Sequence, residues 1–148
     1  MIRRVLVAVS DSSDGWAAAH LAIDLVCVLE DALLRIVHVV VDHELEVALA
    51  RTSRSRRGGS PPGVSPLLVR VAGLAAAAGV HAETQLLNGP VGSAVLDEAK
   101  TWPADLVIIG RAGRWHSGEP YVGAQTRHVL EFASVPVLVV PRTSDASP

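Results

Sequence analysis

The chain has 148 residues, of which 49% are apolar and 19% are charged, and its formal net charge is −2 at pH 7. This composition supplies one domain-sized core and excludes a natively disordered chain. The small net charge gives no general attraction to nucleic acid or to an anionic membrane. The one cysteine excludes both an intramolecular disulfide and a zinc site of the multi-cysteine type.

The first third of the chain alternates buried strands with a helix. Val5–Val9 and Leu33–Val41 are continuous apolar runs, which are typical of strands covered on both faces in a parallel sheet. Between them, Trp16–Leu29 is rich in Ala and Leu and is predicted to be helical. Ser12 or Ser13 is expected to cap this helix at its N-terminus.

The middle of the chain is interrupted by a segment rich in Gly, Ser, Pro and Arg. Glu44–Ala50 is predicted to start a short helix, and Arg51–Pro66 is predicted to be a mobile loop. Leu67–Ala78 returns to a helical pattern, for which Gly79 is a natural stop. His81–Leu87 is predicted to be the third strand.

The last third repeats the alternation around a loop that contains glycine. The predicted elements are helix Val91–Lys100 ended by Trp102-Pro103, strand Asp105–Ile109, loop Gly110–Val122, helix Gly123–Phe132 and strand Val135–Val140. The order of strands and helices predicts one doubly wound α/β domain with a five-stranded parallel sheet and helices on both faces. We expect it to span residues 1–141, with the mobile loop at about 51–66 and a flexible tail at 142–148.

The loop after the fourth strand is a candidate anion site. Gly110, Gly113 and Gly123 follow a buried strand and lead into a helix. Glycines let a backbone approach a ligand closely, and the amides at a helix N-terminus carry partial positive charge. Arg111 and Arg114 can add charge-assisted contacts to phosphate. The spacing is neither a Walker A motif nor a Rossmann fingerprint, and glycines that only shape a turn remain the alternative.

The spacing Gly110-x2-Gly113-x9-Gly123 resembles the G-2x-G-9x-G motif of the nucleotide-binding branch of the universal stress protein family. Several flanking segments are also similar to family patterns: Val5–Val9, His38-Val39, Ala104–Ile109, Val129-Leu130 and Val135–Val140. The similarity covers nearly the whole chain and is weakest between Asp42 and Pro66.

Membership of that branch implies a strand order of 3-2-1-4-5, ATP binding and a homodimer formed through the last strand, Val135–Val140. Ala8 and Val39 are expected to line an adenine pocket, with Gly110, Gly113 and Gly123 against the ribose and phosphates. The complete implied nucleotide site consists of Ala8, Ser10, Asp11, Val39, Ile109, Gly110, Gly113, Arg114, Gly123, Ala124 and Gln125.

The chain departs from the family pattern at two positions. The family's Asp after the first strand is Ser10 here, with Asp11 one residue later, so either Asp11 fills that role after a small loop shift or the contact is lost. The family's Ser or Thr after the third glycine is Ala124. A neutral hydrogen bond contributes about 0.5–1.5 kcal/mol, so losing both contacts lowers affinity by roughly one or two orders of magnitude. Glu119 in the loop adds repulsion toward phosphate.

Three functions follow as alternatives. The first is an ATP-binding regulatory module of the stress response with little or no turnover, and the second is a dimeric scaffold whose nucleotide site has weakened or decayed. The third is a slow ATPase or autophosphorylating protein, in which Asp11 holds Mg²⁺ and Thr126 or Ser117 accepts phosphate. The residues indicate no catalytic group and no resident metal site.

Two further expectations concern the cellular location of the protein and the burial of its cysteine. The apolar run after the N-terminus is too short for a signal peptide, and no stretch reaches the roughly 18 apolar residues of a membrane span. We therefore expect a cytoplasmic protein with no membrane and no nucleic-acid partner. Cys27 is expected to be buried and inert on the apolar face of the first helix.

Overall fold

The computed structural model describes residues 1–40, 65–111 and 122–142. The described elements are, in chain order, β1 (Arg4–Val9), α1 (Ser13–Val28), β2 (Leu33–Val40), α2 (Pro66–Ala77), β3 (Ala82–Asn88), α3 (Val91–Thr101), β4 (Leu106–Gly110), α4 (Ala124–Phe132) and β5 (Val137–Val140). The predicted helical start Glu44–Ala50 and most of the predicted loop Arg51–Pro66 lie outside the described residues.

The five strands form one parallel sheet in the order β3-β2-β1-β4-β5. This confirms the predicted α/β class and the strand order that the family resemblance implied. β1 is central, since it pairs with β2 along its whole length and with β4 from Val5 to Ala8. The chain runs outward from β1 through β2 to β3 and then crosses back to β4, so the order reverses between β1 and β4.

Two apolar layers hold the helices against the sheet. On one face, α1 and α2 bury residues such as Ala22 and Val71 against alternate strand residues such as Ile36. On the other face, α3 and α4 bury Val95 and Val129 against the remaining set of strand residues. Because both faces are covered, β1 reads in the sequence as a continuous apolar run.

Helix ends follow the predicted signals, with one correction. Ser12 caps α1, and its hydroxyl accepts a hydrogen bond from the Gly15 amide. Gly79 follows α2 with a φ of 75°, which glycine adopts without steric cost. Pro66 is predicted to be the last residue of the loop, but it is the first residue of α2, with Ser65 as the cap. Proline suits a first helical position because the N–H that it lacks has no partner there.

Two further predictions were wrong in detail. β5 begins at Val137 rather than at Val135, because Pro136 has no N–H to donate to the sheet. Cys27 is exposed rather than buried. It follows the buried Val26 by one residue, and that step turns its side chain about 100° around α1 and out of the apolar stripe.

Arg35 links α3 to the sheet through ion pairs. Its guanidinium donates to Glu83 on β3 and to Glu98 on α3, both at 2.6 Å, and it lies 4.8 Å from the centre of the Trp102 ring. Partial burial opposes the charge, but the hydrogen bonds to the two carboxylates outweigh it and raise the pKa of Arg35 above its ordinary value. None of the described helices is both long and apolar enough to cross a bilayer.

Candidate functional site

The carboxyl ends of β1 and β4 meet where the strand order reverses, which is where doubly wound sheets bind ligands. The chain leaves β1 through Ser10 into α1 on one face, and it leaves β4 at Gly110 toward α4 on the other face. Ser10 is half-buried and Gly110 is buried. The fold therefore brings these two predicted site residues to the same edge of the sheet.

Asp14, which is not among the predicted site residues, lies directly against Gly110. A Cβ atom added to Gly110 would be 2.7 Å from Asp14 Oδ2 and 3.0 Å from Asp14 Cγ. Asp14 is only 4% exposed, although it is charged. The missing side chain of Gly110 thus makes room for the first turn of α1, whatever else it does for a ligand.

A chain of hydrogen bonds runs from the end of β1 to this buried carboxylate. Ser10 Oγ lies 2.7 Å from Ser12 Oγ, and Ser12 Oγ donates to Asp14 Oδ1 at 2.9 Å. Ser10 also packs closely on Gly15, where an added Cβ would collide with Ser10 Oγ. The sequence signal for this arrangement is the Ser-x-Asp pattern at the helix start, in which the cap and the acid lie two residues apart.

Asp11 has a different orientation from Asp14. It is exposed, and its Oδ1 accepts a hydrogen bond from Trp16 Nε1 at 3.1 Å. Of the two carboxylates that follow β1, Asp14 is therefore the one in contact with Gly110 at the end of β4.

The N-terminus of α4 faces the same edge of the sheet. Gly123 is its N-cap, its amide donates to the Arg111 carbonyl at 2.9 Å, and the first turn contains no acidic residue. Within the described part of the chain, no side chain caps this helix. Ala124 is exposed at its first position. Thr126, in its first turn, is buried and donates from Oγ1 to the Gly110 carbonyl at 2.7 Å, which ties α4 to the end of β4.

The N-termini of the other described helices already have acceptors. Ser12 caps α1 and Ser65 caps α2. At the start of α3, the Gly92 amide donates to Gln125 Oε1 at 2.8 Å. Gln125, a predicted site residue, therefore directs its side chain at α3, while its backbone remains in the first turn of α4.

Three predicted apolar site residues share one wall. Ala8, Val39 and Ile109 are buried in the same cluster, on the face of the sheet that α3 and α4 cover. Ala8 is paired with Ile109 across β1 and β4. Gly113 and Arg114, together with Ser117 and Glu119, lie outside the described residues.

Two cavities lie away from this edge. One of about 580 Å³ lies between α2 and β3, with Leu68 and Thr84 in its lining. Another of about 490 Å³ lies at the amino ends of the strands, beside Arg3 and Asp105. Over the ranges 1–40, 65–111 and 122–142, no group of three or more His, Cys, Asp or Glu side chains is placed to hold a metal ion.

Comparison with known proteins identifies the family. The model of the universal stress protein family matches residues 1–141. Universal stress protein Sll1388 of Synechocystis sp. PCC 6803 is 36% identical over 62 residues, which are 42% of this chain and 40% of that protein. The chain thus aligns with about two fifths of the length of this curated relative.

Solved structures share the fold. A universal stress protein in complex with cAMP is 19% identical and has a TM-score of 0.67, over 96% of this chain and 98% of that one. A family protein from Arabidopsis thaliana with AMP bound is also 19% identical with a TM-score of 0.67, over 99% of this chain and 95% of that one. At these identities the likeness establishes the fold.

Proposed function

The chain belongs to the universal stress protein family, and we propose that within it this protein is an adenine-nucleotide-binding regulatory module with little or no turnover. ATP, with or without Mg²⁺, is the first ligand to test. The observation that carries the proposal is the N-terminus of α4, which lies uncapped within the described residues beside the end of β4. Nucleotides on two relatives of the same fold, cAMP and AMP, support the ligand class.

Where the strand order reverses between β1 and β4, the charges of the two helix N-termini determine which end of the proposed site binds the phosphate. The α4 N-terminus offers backbone amides with partial positive charge and no nearby acid in its first turn. The α1 N-terminus is capped by Ser12 and carries Asp14, so it is unfavourable to an anion. A phosphate group is therefore held at α4, and the nucleoside lies toward β1 and the apolar wall of Ala8, Val39 and Ile109.

A substitution at the cap of α4 tests the proposal sharply. Gly123 has φ −62° and ψ 155°, a conformation open to any residue, and Asp is a favoured N-cap. Gly123→Asp therefore keeps or raises stability while it places a carboxylate where the phosphate binds. Calorimetry with ATP, ADP and AMP is expected to show at least a tenfold loss of affinity.

The matched control is Ser65→Asp, which makes the same kind of cap change on α2, far from α4. It is expected to leave nucleotide affinity unchanged. Ala124→Ser restores a hydroxyl beside Gly123 and is expected to tighten binding. If the wild type carries no nucleotide when it is denatured and analysed by mass spectrometry, and gives no heat signal with millimolar ATP, the proposal fails and the scaffold alternative is favoured.

Autophosphorylation is the weaker alternative. Thr126 is 4% exposed and its hydroxyl already donates to the Gly110 carbonyl, so it is poorly placed to attack a phosphate. Ser117 lies outside the described residues. Phosphate release from ATP that is above background and is abolished by Asp11→Ala would favour the enzymatic alternative instead.

A homodimer through the last strand is part of the same proposal. β5 lies at one edge of the described sheet, and Leu138 on it is 38% exposed. An apolar edge strand without a cover tends to pair with another chain. Light scattering is expected to give a dimer at micromolar concentration and a monomer for Leu138→Lys. A monomeric wild type contradicts this part of the proposal.

A further inference from the structure

The hydrogen bonds that run from Ser10 through Ser12 to Asp14 have a fixed donor-to-acceptor direction. A carboxylate accepts hydrogen bonds and donates none, and a serine hydroxyl has one proton. Ser12 donates that proton to Asp14 Oδ1. At its 2.7 Å contact with Ser10, Ser12 therefore accepts, and the Ser10 hydroxyl donates.

This direction leaves Ser10 without a proton for a ligand. Its single hydrogen points at Ser12, so its oxygen faces any further partner with lone pairs only. The Gly15 amide, which donates to Ser12 Oγ at 3.3 Å, reinforces the direction because it occupies a second accepting position on Ser12. The buried carboxylate of Asp14 thus gives a neutral serine the recognition properties of an acceptor.

We propose that Ser10 Oγ, oriented by Asp14 through Ser12, accepts a hydrogen bond from a donor group on the nucleoside part of the bound nucleotide. The proposal rests on nucleotide binding as proposed above. Ser10 is half-buried at the edge where β1 ends, two residues after Ala8, which belongs to the apolar wall. The donor is an amino group of the base or a hydroxyl of the ribose. Asp14 is then a positioning residue, since it acts through the two serines.

The test is a set of variants measured against nucleotides that lack one donor each. The ligands are ATP, its purine analogue without the 6-amino group, 2′-deoxy-ATP and 3′-deoxy-ATP, in calorimetry. Ser10→Ala is expected to weaken ATP about three- to tenfold, the effect of one neutral hydrogen bond. It is expected to leave unchanged the affinity for the one analogue that lacks the matching donor. That analogue distinguishes a base amine from a ribose hydroxyl.

Asp14→Asn tests the direction itself. An amide can donate to Ser12, and Ser12 can then donate to Ser10, so the Ser10 oxygen loses its uniform role as an acceptor. The affinity is expected to fall by no more than it does in Ser10→Ala, because Ser10 Oγ keeps a second lone pair, and the loss is expected to vanish with the same analogue. A merely structural effect would weaken every ligand alike. Asp24→Asn, on the exposed side of α1, is the matched control and is expected to bind as the wild type does.

The outcomes separate the two proposals. If the wild type binds none of the nucleotides, nucleotide binding fails and this inference fails with it. If the wild type binds ATP and Ser10→Ala binds every ligand as tightly, or loses affinity equally for all of them, only the role of Ser10 is overturned. Should Asp14→Asn not fold, as judged by circular dichroism, the Ser10→Ala comparison decides alone.

Discussion

Replacing Gly110 by alanine tests whether α1 and β4 are packed as closely as the structure indicates. The new Cβ would lie 2.7 Å from Asp14 Oδ2, 3.0 Å from Asp14 Cγ and 3.1 Å from the Asp14 backbone carbon. Rotating one side chain cannot relieve all three contacts, so the first turn of α1 must move. Overpacking of this kind costs about 1–3 kcal/mol.

A gain in backbone entropy partly offsets that cost. Gly110 does not have a positive φ, so alanine fits its conformation and restricts the unfolded chain, which stabilises by about 0.4–1 kcal/mol. The net expectation is a loss of about 1–2 kcal/mol. For a chain of this size the loss lowers the melting temperature by roughly 2–8 °C, which differential scanning calorimetry measures.

Gly73 provides the matched control. It lies inside α2, and an added Cβ would meet no atom within 4 Å. Gly73→Ala is therefore expected to stabilise the protein by up to about 1 kcal/mol. Combining Gly110→Ala with Asp14→Ala should give less than the sum of the two losses, because both act on one contact. A Gly110→Ala protein that melts at or above the wild-type temperature refutes the reasoning.

Three further predictions concern single contacts. Thr126→Val leaves the Gly110 carbonyl without its donor and is expected to lower the free energy of unfolding by about 1–2 kcal/mol in urea titration. Thr126→Ser keeps the hydroxyl and should retain most of the wild-type stability. Equal losses for both variants would contradict the hydrogen bond. Arg35→Ala removes the ion pair with Glu98 and is expected to lower the free energy of unfolding by about 1–2 kcal/mol in urea titration at low salt, and by less at 1 M salt. Arg35→Lys is expected to have a stability between those of Arg35→Ala and the wild type. A loss that does not depend on salt would count against the ion pair. The backbone amides of Arg3 and Arg4 donate to Asp105 and lower the pKa of its carboxyl. The ionised carboxylate therefore stabilises the fold fully above about pH 4, the usual pKa of Asp in an unfolded chain, and this contribution is lost as the pH falls through the lower pKa of the folded state. Asp105→Asn should therefore be less stable at neutral pH and lose less stability between pH 5 and pH 2 in urea titrations; a parallel pH profile would overturn this.

Sequence reasoning identified the fold because its signals are local. Apolar runs such as Val5–Val9, the cap at Ser12 and the stop at Gly79 depend on nearest neighbours along the chain, and each is found in the structure. The strand order came from the family resemblance, since no local pattern specifies which strands become neighbours. The errors at Pro66 and Val135 are errors of boundary, where one proline shifts an element by one or two residues.

The site was less visible because it depends on contacts between distant residues. Gly110 was selected as a ligand-binding glycine, and only the packing shows that it also accommodates Asp14, 96 residues earlier in the chain. Gln125 is expected at the nucleotide, and only the structure shows that its side chain accepts a hydrogen bond from the Gly92 amide on α3. Cys27 was expected to be buried, and a single step around α1 exposes it.

The sequence by itself thus determined the alternation of elements, the two-sided burial of the sheet and the glycine loop after the fourth strand. These follow from side-chain type and spacing, which act over a few residues. Only the tertiary structure decided that Asp14 rather than Asp11 lies against Gly110, and that Ser10 is tied to it through Ser12. The direction of a hydrogen bond and the space beside a glycine depend on where α1 crosses the ends of β1 and β4, and that crossing is set by packing between residues far apart in the chain.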